Sequence, residues 1–280
     1  MQTKIILYNG SSIYYTVTGN GPRVVLIHGF GETGAIWKNQ IYLLSASFQL
    51  IIPDLPGSGQ SEFINNANIE TYALVIKVIL DAEINSASEL KQNSAVTQKN
   101  KVFFTMIGHS MGGYIALAFA EKFSGYLNAL GLFHSSAFAD SEEKKIRRKK
   151  AIDFIALKGA FNFLKSSIPG LFTKTYMDDN TQEIENLIKK GEKFTNGALI
   201  QYYTAMCERP DRTKVIENFD GHFLFLIGQW DKAIPLQISL QQSHLPVQSY
   251  VDILALSAHM GLWEEIDKTN KILFQFLCSI

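Results

Sequence analysis

The sequence predicts an α/β fold in which a mostly parallel sheet carries helices on both faces. Short apolar runs recur along the chain, and their continuity is typical of strands that are buried on both faces. Segments with helical periodicity separate these runs, and such strand–helix alternation indicates parallel βαβ units. The apolar runs occupy 23–29, 48–54, 101–108, 126–134, 222–228 and 250–256.

A β-hairpin is predicted at the start of the chain. Residues 3–8 and 12–18 are rich in β-branched and aromatic side chains, and Asn9-Gly10 lies between them. Asn-Gly is a strong signal for a two-residue hairpin turn, because both residues tolerate a positive φ. We therefore expect an antiparallel pair of strands here.

Two segments interrupt the strand–helix alternation. After a predicted helix at 69–84, the polar residues 85–101 are expected to form a long or partly helical surface connection. A second segment, between the strands at 126–134 and 222–228, has mostly helical periodicity and lysine-rich polar faces. A helical block in that place is typical of a cap inserted in a loop of the sheet. The predicted organisation is a core in two segments, 1–136 and 216–280, with a helical cap at 137–215.

Composition excludes several classes of protein. The chain has 26 basic and 26 acidic side chains, and this zero formal net charge argues against a nucleic-acid partner. A hydrophobic content of 46% argues against a disordered chain. No stretch approaches the roughly 20 apolar residues of a membrane-spanning helix. Cys207 and Cys278 cannot build a disulfide framework, so we expect a reducing, cytoplasmic location.

The most informative segment is Ile-Gly-His-Ser-Met-Gly-Gly at 107–113, a G-x-S-x-G motif directly between a predicted strand and a predicted helix. A serine in this context lies on a sharp turn, and the flanking glycines remove β-carbons that would collide there. The helix N-terminus also directs free N–H groups toward an anion beside Ser110. An incidental serine in a glycine turn is the alternative, and the flanking elements favour a nucleophile.

Three motifs together resemble the α/β-hydrolase superfamily, and the resemblance extends along essentially the whole chain. They are His28-Gly29-Phe30-Gly31, the segment DLPGSGQS at 54–61, and the nucleophile motif. The resemblance implies an eight-stranded sheet with an inserted cap. It also implies an oxyanion hole made by the backbone N–H groups of Phe30 and Met111.

A serine nucleophile needs a base, and His259 is the best candidate among the six histidines. It follows the last predicted strand, at the edge where open α/β sheets bind ligands, and it completes the superfamily order Ser, Asp, His. Asp231 follows the preceding strand in a loop that resembles the superfamily's G-x-x-D-x-x-x-P acid loop. The remaining histidines are expected to have structural or solvated roles: His28, His109, His134, His222 and His244.

The aromatic-rich cap predicts an apolar acyl or alcohol part in the substrate. We expect Phe30, Tyr114 and Trp230 to contact the substrate. Asp140 and Glu143 have the spacing of a capping box at the start of a cap helix, and mostly basic side chains follow at 144–150. Because the chain is otherwise neutral, we expect this basic stripe to form a solvated face.

These observations predict a serine hydrolase that cleaves small to medium, largely apolar carboxylic esters through an acyl-enzyme. No metal or organic cofactor is expected, because a Ser-His-Asp triad and backbone donors are sufficient for this chemistry. The expected partner is a small-molecule ester, and both a monomer and a homodimer are compatible with the sequence. Two alternatives remain open: a C–C bond hydrolase, and a signalling or ligand-binding protein of this fold with slow or no turnover.

Overall fold

One mostly parallel β-sheet runs through the protein. The computed structural model describes residues 1–91 and 102–280, with the backbone alone for 87–91. The strands in this part of the chain are β1 (Gln2–Tyr8), β2 (Ser11–Thr18), β3 (Arg23–Ile27), β4 (Gln49–Pro53), β5 (Phe104–His109), β6 (Leu127–Phe133), β7 (His222–Gly228) and β8 (Gln248–Leu254). Their order across the sheet is β1-β2-β4-β3-β5-β6-β7-β8. The predicted fold class, an eight-stranded and mostly parallel sheet with flanking helices, is confirmed.

The antiparallel part of the sheet is the N-terminal hairpin. Asn9 and Gly10 both have a positive φ, and Tyr8 pairs with Ser11 across the turn. These are the backbone angles that a tight hairpin turn of the predicted kind requires. The second strand of the hairpin also pairs antiparallel with β4, and all other neighbouring strands are parallel. The hairpin therefore extends the parallel sheet at one edge.

Helices cover both faces of the central strands, which are mostly apolar and buried. The predicted helix at 69–84 runs further along the chain, and the rest of the predicted polar connection, 92–101, lies outside the described residues. The helices are α1 (Lys38–Leu44), α2 (Ile69–Lys91), α3 (Met111–Phe123), α4 (Glu142–Lys158), α5 (Ala160–Ser167), α6 (Lys174–Asp179), α7 (Thr181–Lys190), α8 (Asn196–Glu208), α9 (Thr213–Glu217), α10 (Leu236–Gln242), α11 (Gly261–Glu264) and α12 (Ile266–Cys278).

A helical block, α4 to α9, lies between β6 and β7 in the chain. Its longest helices, α4 and α8, pack against each other. The block also contacts the sheet's loops, since the backbone N–H of His259 donates to the carbonyl of Leu171 at 2.9 Å. The division into core segments at 1–136 and 216–280 and a cap at 137–215 stays a prediction. Among the described residues, no helix combines the length and the apolar content needed to cross a membrane.

The start of α4 differs from the predicted capping box. Ser141, and not Asp140, is the N-cap residue, and its hydroxyl accepts a hydrogen bond from the Lys144 N–H at 3.3 Å. Asp140 instead binds two guanidinium groups, Arg148 at 2.6 Å and Arg209 at 2.9 Å. Burial alone would raise the pKa of Asp140, but the two arginines outweigh burial and lower it. Asp140 therefore links the beginning of α4 to the residue that follows α8.

Candidate active site

Ser110 occupies a strained turn between β5 and α3. Its backbone has φ 52° and ψ −117°, a region that residues other than glycine rarely adopt. Two hydrogen bonds hold this conformation: the Ser110 N–H donates to the carbonyl of Phe133 at 2.9 Å, and the Ser135 hydroxyl donates to the Ser110 carbonyl at 2.7 Å. The turn places the Ser110 hydroxyl at the carboxyl end of the sheet, as its sequence context predicts.

The structure brings Ser110, His259 and Asp231 together in one hydrogen-bonded chain. His259 Nε2 lies 2.9 Å from Ser110 Oγ, and His259 Nδ1 lies 2.7 Å from Asp231 Oδ2. The other oxygen of Asp231 accepts the backbone N–H groups of Ala233 and Ile234. Burial would raise the pKa of Asp231, but His259 and these donors lower it. The ionised carboxylate accepts a hydrogen bond from the Nδ1–H of His259, so Nε2 offers its lone pair to the serine hydroxyl.

The two backbone N–H groups predicted to form an oxyanion hole belong to the loop after β3 and to the first residue of α3. Among the described residues, neither the N–H of Phe30 nor that of Met111 has a hydrogen-bond partner. Met111 is the first residue of α3, and N–H groups in the first turn of a helix have no acceptor within the helix. Phe30 belongs to the loop after β3, where Gly31 adopts a φ of 66°. Met111 directly follows Ser110, and Phe30 lies two residues before Glu32, whose carboxylate contacts His109.

His28 connects two of the three motifs on which the family resemblance rests. Its Nδ1–H donates to the carbonyl of Gly29 at 2.8 Å, and its Nε2 lies 3.0 Å from the N–H of Leu55 and 2.9 Å from the Ser58 hydroxyl. Burial lowers the pKa of this imidazole, which is consistent with a neutral ring that both donates and accepts. His28 therefore fixes the loop of Phe30 against the DLPGSGQS turn.

A cavity of about 700 Å³ opens above Ser110 and His259. Phe30 and Tyr114, two of the predicted substrate contacts, line it. The ring of Phe30 stacks on Tyr203 with 4.1 Å between ring centroids. Helix α8 and the loop after β3 thus each supply part of the cavity wall. Further apolar lining comes from Leu171, Met206 and Ile234.

Trp230, the third predicted substrate contact, does not line this cavity. Its side chain is 61% exposed, and its indole N–H donates to the carbonyl of Ala255 at 3.0 Å. That bond holds the ring on the outer side of the Asp231 loop, where it borders a separate groove with Phe172 and Leu256. The sequence placed Trp230 near the site because it adjoins Asp231, but adjacent side chains of this loop point to different sides.

Three basic side chains of α4 line the cavity, whereas the whole stripe at 144–150 was expected to form a solvated face; Lys149 and Lys150 are exposed, as expected. Lys144, Arg147 and Arg148 border the same space as Ser110, together with Lys232 from the Asp231 loop. Arg148 is paired with Asp140. Within residues 1–91 and 102–280, the other three cations have no carboxylate partner. Residues at 144, 147 and 148 share one face of a helix, and this spacing is the signal that could have identified them as a group with a common direction.

Glu32 is a site residue for which the sequence offers no signal. Its carboxylate borders the cavity, is almost fully buried, and accepts a hydrogen bond from the Gly29 N–H at 2.6 Å. The same oxygen lies 3.0 Å from Nδ1 of His109, the residue before the nucleophile. A buried acid thus contacts both the loop of Phe30 and the nucleophile turn.

Comparison with known proteins gives one family. The family model of the alpha/beta hydrolase fold matches residues 22–151. The pimeloyl-[acyl-carrier protein] methyl ester esterase of Vibrio atlanticus (strain LGP32) is 30% identical over 277 residues, which cover 91% of this chain and 94% of the relative. A thermophilic esterase from Thermogutta terrifontis superimposes with a TM-score of 0.83 at 25% identity, over 100% of this chain and 99% of that one. The enol-lactonase from Burkholderia xenovorans LB400 has a TM-score of 0.85 at 20% identity, over 98% and 100% of the two chains.

Proposed function

The chain belongs to the α/β-hydrolase family and is an ester-cleaving hydrolase, and we propose that it acts as a serine hydrolase on carboxylic esters. The observation that carries this proposal is the chain of hydrogen bonds from Ser110 through His259 to Asp231, at 2.9 Å and 2.7 Å. A nucleophile, a base within hydrogen-bond reach and a group that orients the base are the parts that acyl transfer requires. All three border or adjoin one cavity whose lining is partly apolar.

In the proposed reaction, Ser110 Oγ attacks the ester carbonyl carbon while His259 Nε2 takes the hydroxyl proton. Asp231 stabilises the imidazolium that forms. The carbonyl oxygen becomes an oxyanion, for which the N–H groups of Phe30 and Met111 are the proposed donors. His259 then gives its proton to the leaving alcohol, and an acyl group remains on Ser110. Water, deprotonated by the same histidine, cleaves this acyl-enzyme and restores the serine.

The cavity walls support an ester of small to medium size with an apolar part. Aromatic and aliphatic side chains can bury the apolar part of a substrate, and each Å² of apolar surface removed from water contributes about 25 cal/mol of favourable free energy. We propose that the helical block acts as the cap of this site, since Tyr203 and Met206 of α8 face the same space as Ser110. The boundaries 137–215 for this cap belong to the same proposal.

The basic lining supports a second candidate, an ester that also carries a negative charge. Lys144, Arg147 and Lys232 have no carboxylate partner in the described part of the chain, so they can bind an anion in the cavity. The Vibrio relative is named for the methyl ester of a pimeloyl group that is attached to an acyl-carrier protein. By analogy, we propose that the ester of this chain's substrate lies at Ser110 and a charged group lies near α4.

Hydrolysis of p-nitrophenyl esters of graded acyl length tests the main proposal. We expect a burst of p-nitrophenol equal to the enzyme concentration, followed by continuous turnover with an optimum at one chain length, because an acyl-enzyme forms faster than it hydrolyses. A single labelling event without turnover would instead favour the ligand-binding alternative. Cleavage of a vinylogous 1,5-diketone with no ester turnover would favour the C–C hydrolase.

Replacing Arg147 with glutamine tests the second candidate. The monomethyl ester of a dicarboxylic acid should bind more weakly, with KM raised by about tenfold, because one charge-assisted hydrogen bond is lost. The KM of the corresponding dimethyl ester should not change, since it has no carboxylate. Lys150→Gln is the matched control, because Lys150 is exposed on the same helix and does not line the cavity. Equal effects of Arg147→Gln on both esters would contradict an anion site.

A further inference from the structure

A buried pair, His109 and Glu32, lies directly beneath the nucleophile turn, and the proposed reaction does not use it. The side chain of His109 is fully buried, and that of Glu32 is almost so. His109 Nδ1 lies 3.0 Å from Glu32 Oε2, and His109 Nε2 lies 3.0 Å from the backbone carbonyl oxygen of His259. One imidazole therefore bridges the loop after β3 and the loop that holds the proposed base.

The partners of His109 determine its protonation state. A carboxylate oxygen and a carbonyl oxygen are both acceptors, and a neutral imidazole has only one N–H to donate. Only the imidazolium satisfies both partners. Burial opposes the charge, but Glu32 and the His259 carbonyl outweigh burial and raise the pKa of His109.

The remaining ionisable neighbours of His109 are Asp231 and three imidazoles. Asp231 favours the charge of His109 at a distance. His28 is repelled by that charge, and the rings of His134 and His259 pack at 5.9 Å and 5.1 Å from that of His109. Glu32 is thus the one carboxylate in direct contact with His109 among the described residues.

A single oxygen of Glu32 serves two donors. Oε2 accepts the Gly29 N–H at 2.6 Å as well as the His109 Nδ1–H. The resulting hydrogen-bond chain runs from Gly29 through Glu32 and His109 to the His259 carbonyl. It connects the loop of the proposed oxyanion donor Phe30, the nucleophile turn and the base loop.

The charge of the pair also matters for the proposed oxyanion. Glu32 borders the cavity beside Ser110. An uncompensated carboxylate there would repel a developing negative charge, and this repulsion is strong in a site of low dielectric. The positive charge on His109 neutralises it. The pair can therefore fix the loop geometry without opposing the oxyanion.

We propose that His109 is an imidazolium throughout the working pH range of the protein, and that His109 and Glu32 are a positioning pair that holds the oxyanion donor and the base around Ser110. The positioning role rests on the proposed ester hydrolysis, whereas the charge of His109 does not. Nuclear magnetic resonance of histidine-labelled wild-type protein tests that charge directly. At about pH 8, where an ordinary imidazole is neutral, both ring nitrogens of His109 should carry protons. A neutral His109 under these conditions would overturn the proposal.

Glu32→Gln tests the positioning role. The glutamine amide can place either its oxygen or its NH₂ at the position of Oε2. If the oxygen lies there, a neutral His109 donates to it through Nδ1 and must turn the lone pair of Nε2 toward the His259 carbonyl. If the NH₂ lies there, it cannot accept the hydrogen bond from the Gly29 N–H. Either arrangement breaks the chain at one end. We expect kcat for a p-nitrophenyl ester to fall about 10- to 100-fold with little change in KM, as small misplacements of reacting groups produce.

The pH profile separates this role from a purely structural one. Without the carboxylate, burial lowers the pKa of His109, so the variant should lose kcat as pH rises through a range in which the wild-type enzyme keeps it. Glu70→Gln is the matched control, since it removes a carboxylate from another ion pair, with Arg212, remote from the cavity. Full kcat and an unchanged profile in Glu32→Gln, with only a lower melting temperature, would refute positioning. If the wild-type protein hydrolyses no ester while His109 is charged, only the proposed function and the role that depends on it fail.

Discussion

Ser110→Ala is expected to abolish ester hydrolysis, with kcat lowered by about 10⁴- to 10⁶-fold, and to leave the fold intact. The hydroxyl is the attacking group, and its partner in the structure is His259 Nε2. The bonds that hold the strained turn involve the backbone of residue 110, so alanine keeps them: the N–H still donates to Phe133, and the carbonyl still accepts from Ser135. Turnover of p-nitrophenyl esters and thermal unfolding measure the two effects separately.

A fluorophosphonate probe provides a second measurement of the same change. It should label the wild-type protein at Ser110 and label neither Ser110→Ala nor His259→Ala, because the reaction needs both the nucleophile and its base. Ser124→Ala, at the opposite end of α3 and exposed, is the control and should retain full turnover. Turnover by Ser110→Ala near the wild-type rate would exclude the Ser-His-Asp mechanism.

Gly108→Ala is expected to destabilise the protein by at least about 3 kcal/mol, because a β-carbon has no room at this position. It would overlap the carbonyl group of Gly112 and the amide nitrogen of Gly113, far inside the contact distance of about 3.5 Å. The backbone cannot move away, since β5 is paired on one side with Ile27 and on the other with Leu132. For a protein of this size, such a loss lowers the melting temperature by about 6 to 12 °C.

Gly125→Ala is the matched control for this substitution. No heavy atom lies within 4 Å of the β-carbon that alanine would add there, and the residue does not have a positive φ. Its free energy of unfolding should stay within about 0.5 kcal/mol of the wild-type value. If Gly108→Ala and Gly125→Ala have the same melting temperature, the steric explanation of the nucleophile turn is wrong.

The features that the sequence predicted well depend on short segments. The hairpin follows from Asn9-Gly10, because the positive φ of a tight turn is a local requirement. The positions of Ser110, Asp231 and His259 follow from a similar rule, since Ser110 directly follows β5 and the other two lie in the loops after β7 and β8. The carboxyl ends of such strands share one edge, so three local patterns converge on one site.

The features that the sequence did not predict depend on residues far apart in the chain. Asp140 resembled a helix cap because of its neighbours, but its structural partners include Arg209, which lies on another helix boundary. Glu32 has no motif of its own, and its role depends on His109, 77 positions later. The direction that Trp230 faces likewise depends on a carbonyl, that of Ala255, beyond its own loop.

The basic stripe of α4 shows that a net charge of zero is compatible with a concentration of positive charge at one site. The chain is neutral overall, and that neutrality suggested a solvated stripe. Sequence spacing shows that Lys144 and Arg147 share a helix face, but the direction of this face depends on packing against α8 and on the link through Asp140. The charge at the cavity is therefore a property of the tertiary structure.

The hydrogen-bond chain through Glu32, His109 and His259 has a consequence for how the protein acquires activity as it folds. Its links span 77 and 150 positions of sequence, and the last one requires β8 and the loop after it. Contacts between such distant segments form late, because the chain must first close long loops. In a refolding experiment, we therefore expect helical circular dichroism to recover before esterase activity. A nascent chain that lacks its C-terminal segment should have no activity. Active hydrolase is therefore expected only after synthesis has passed His259.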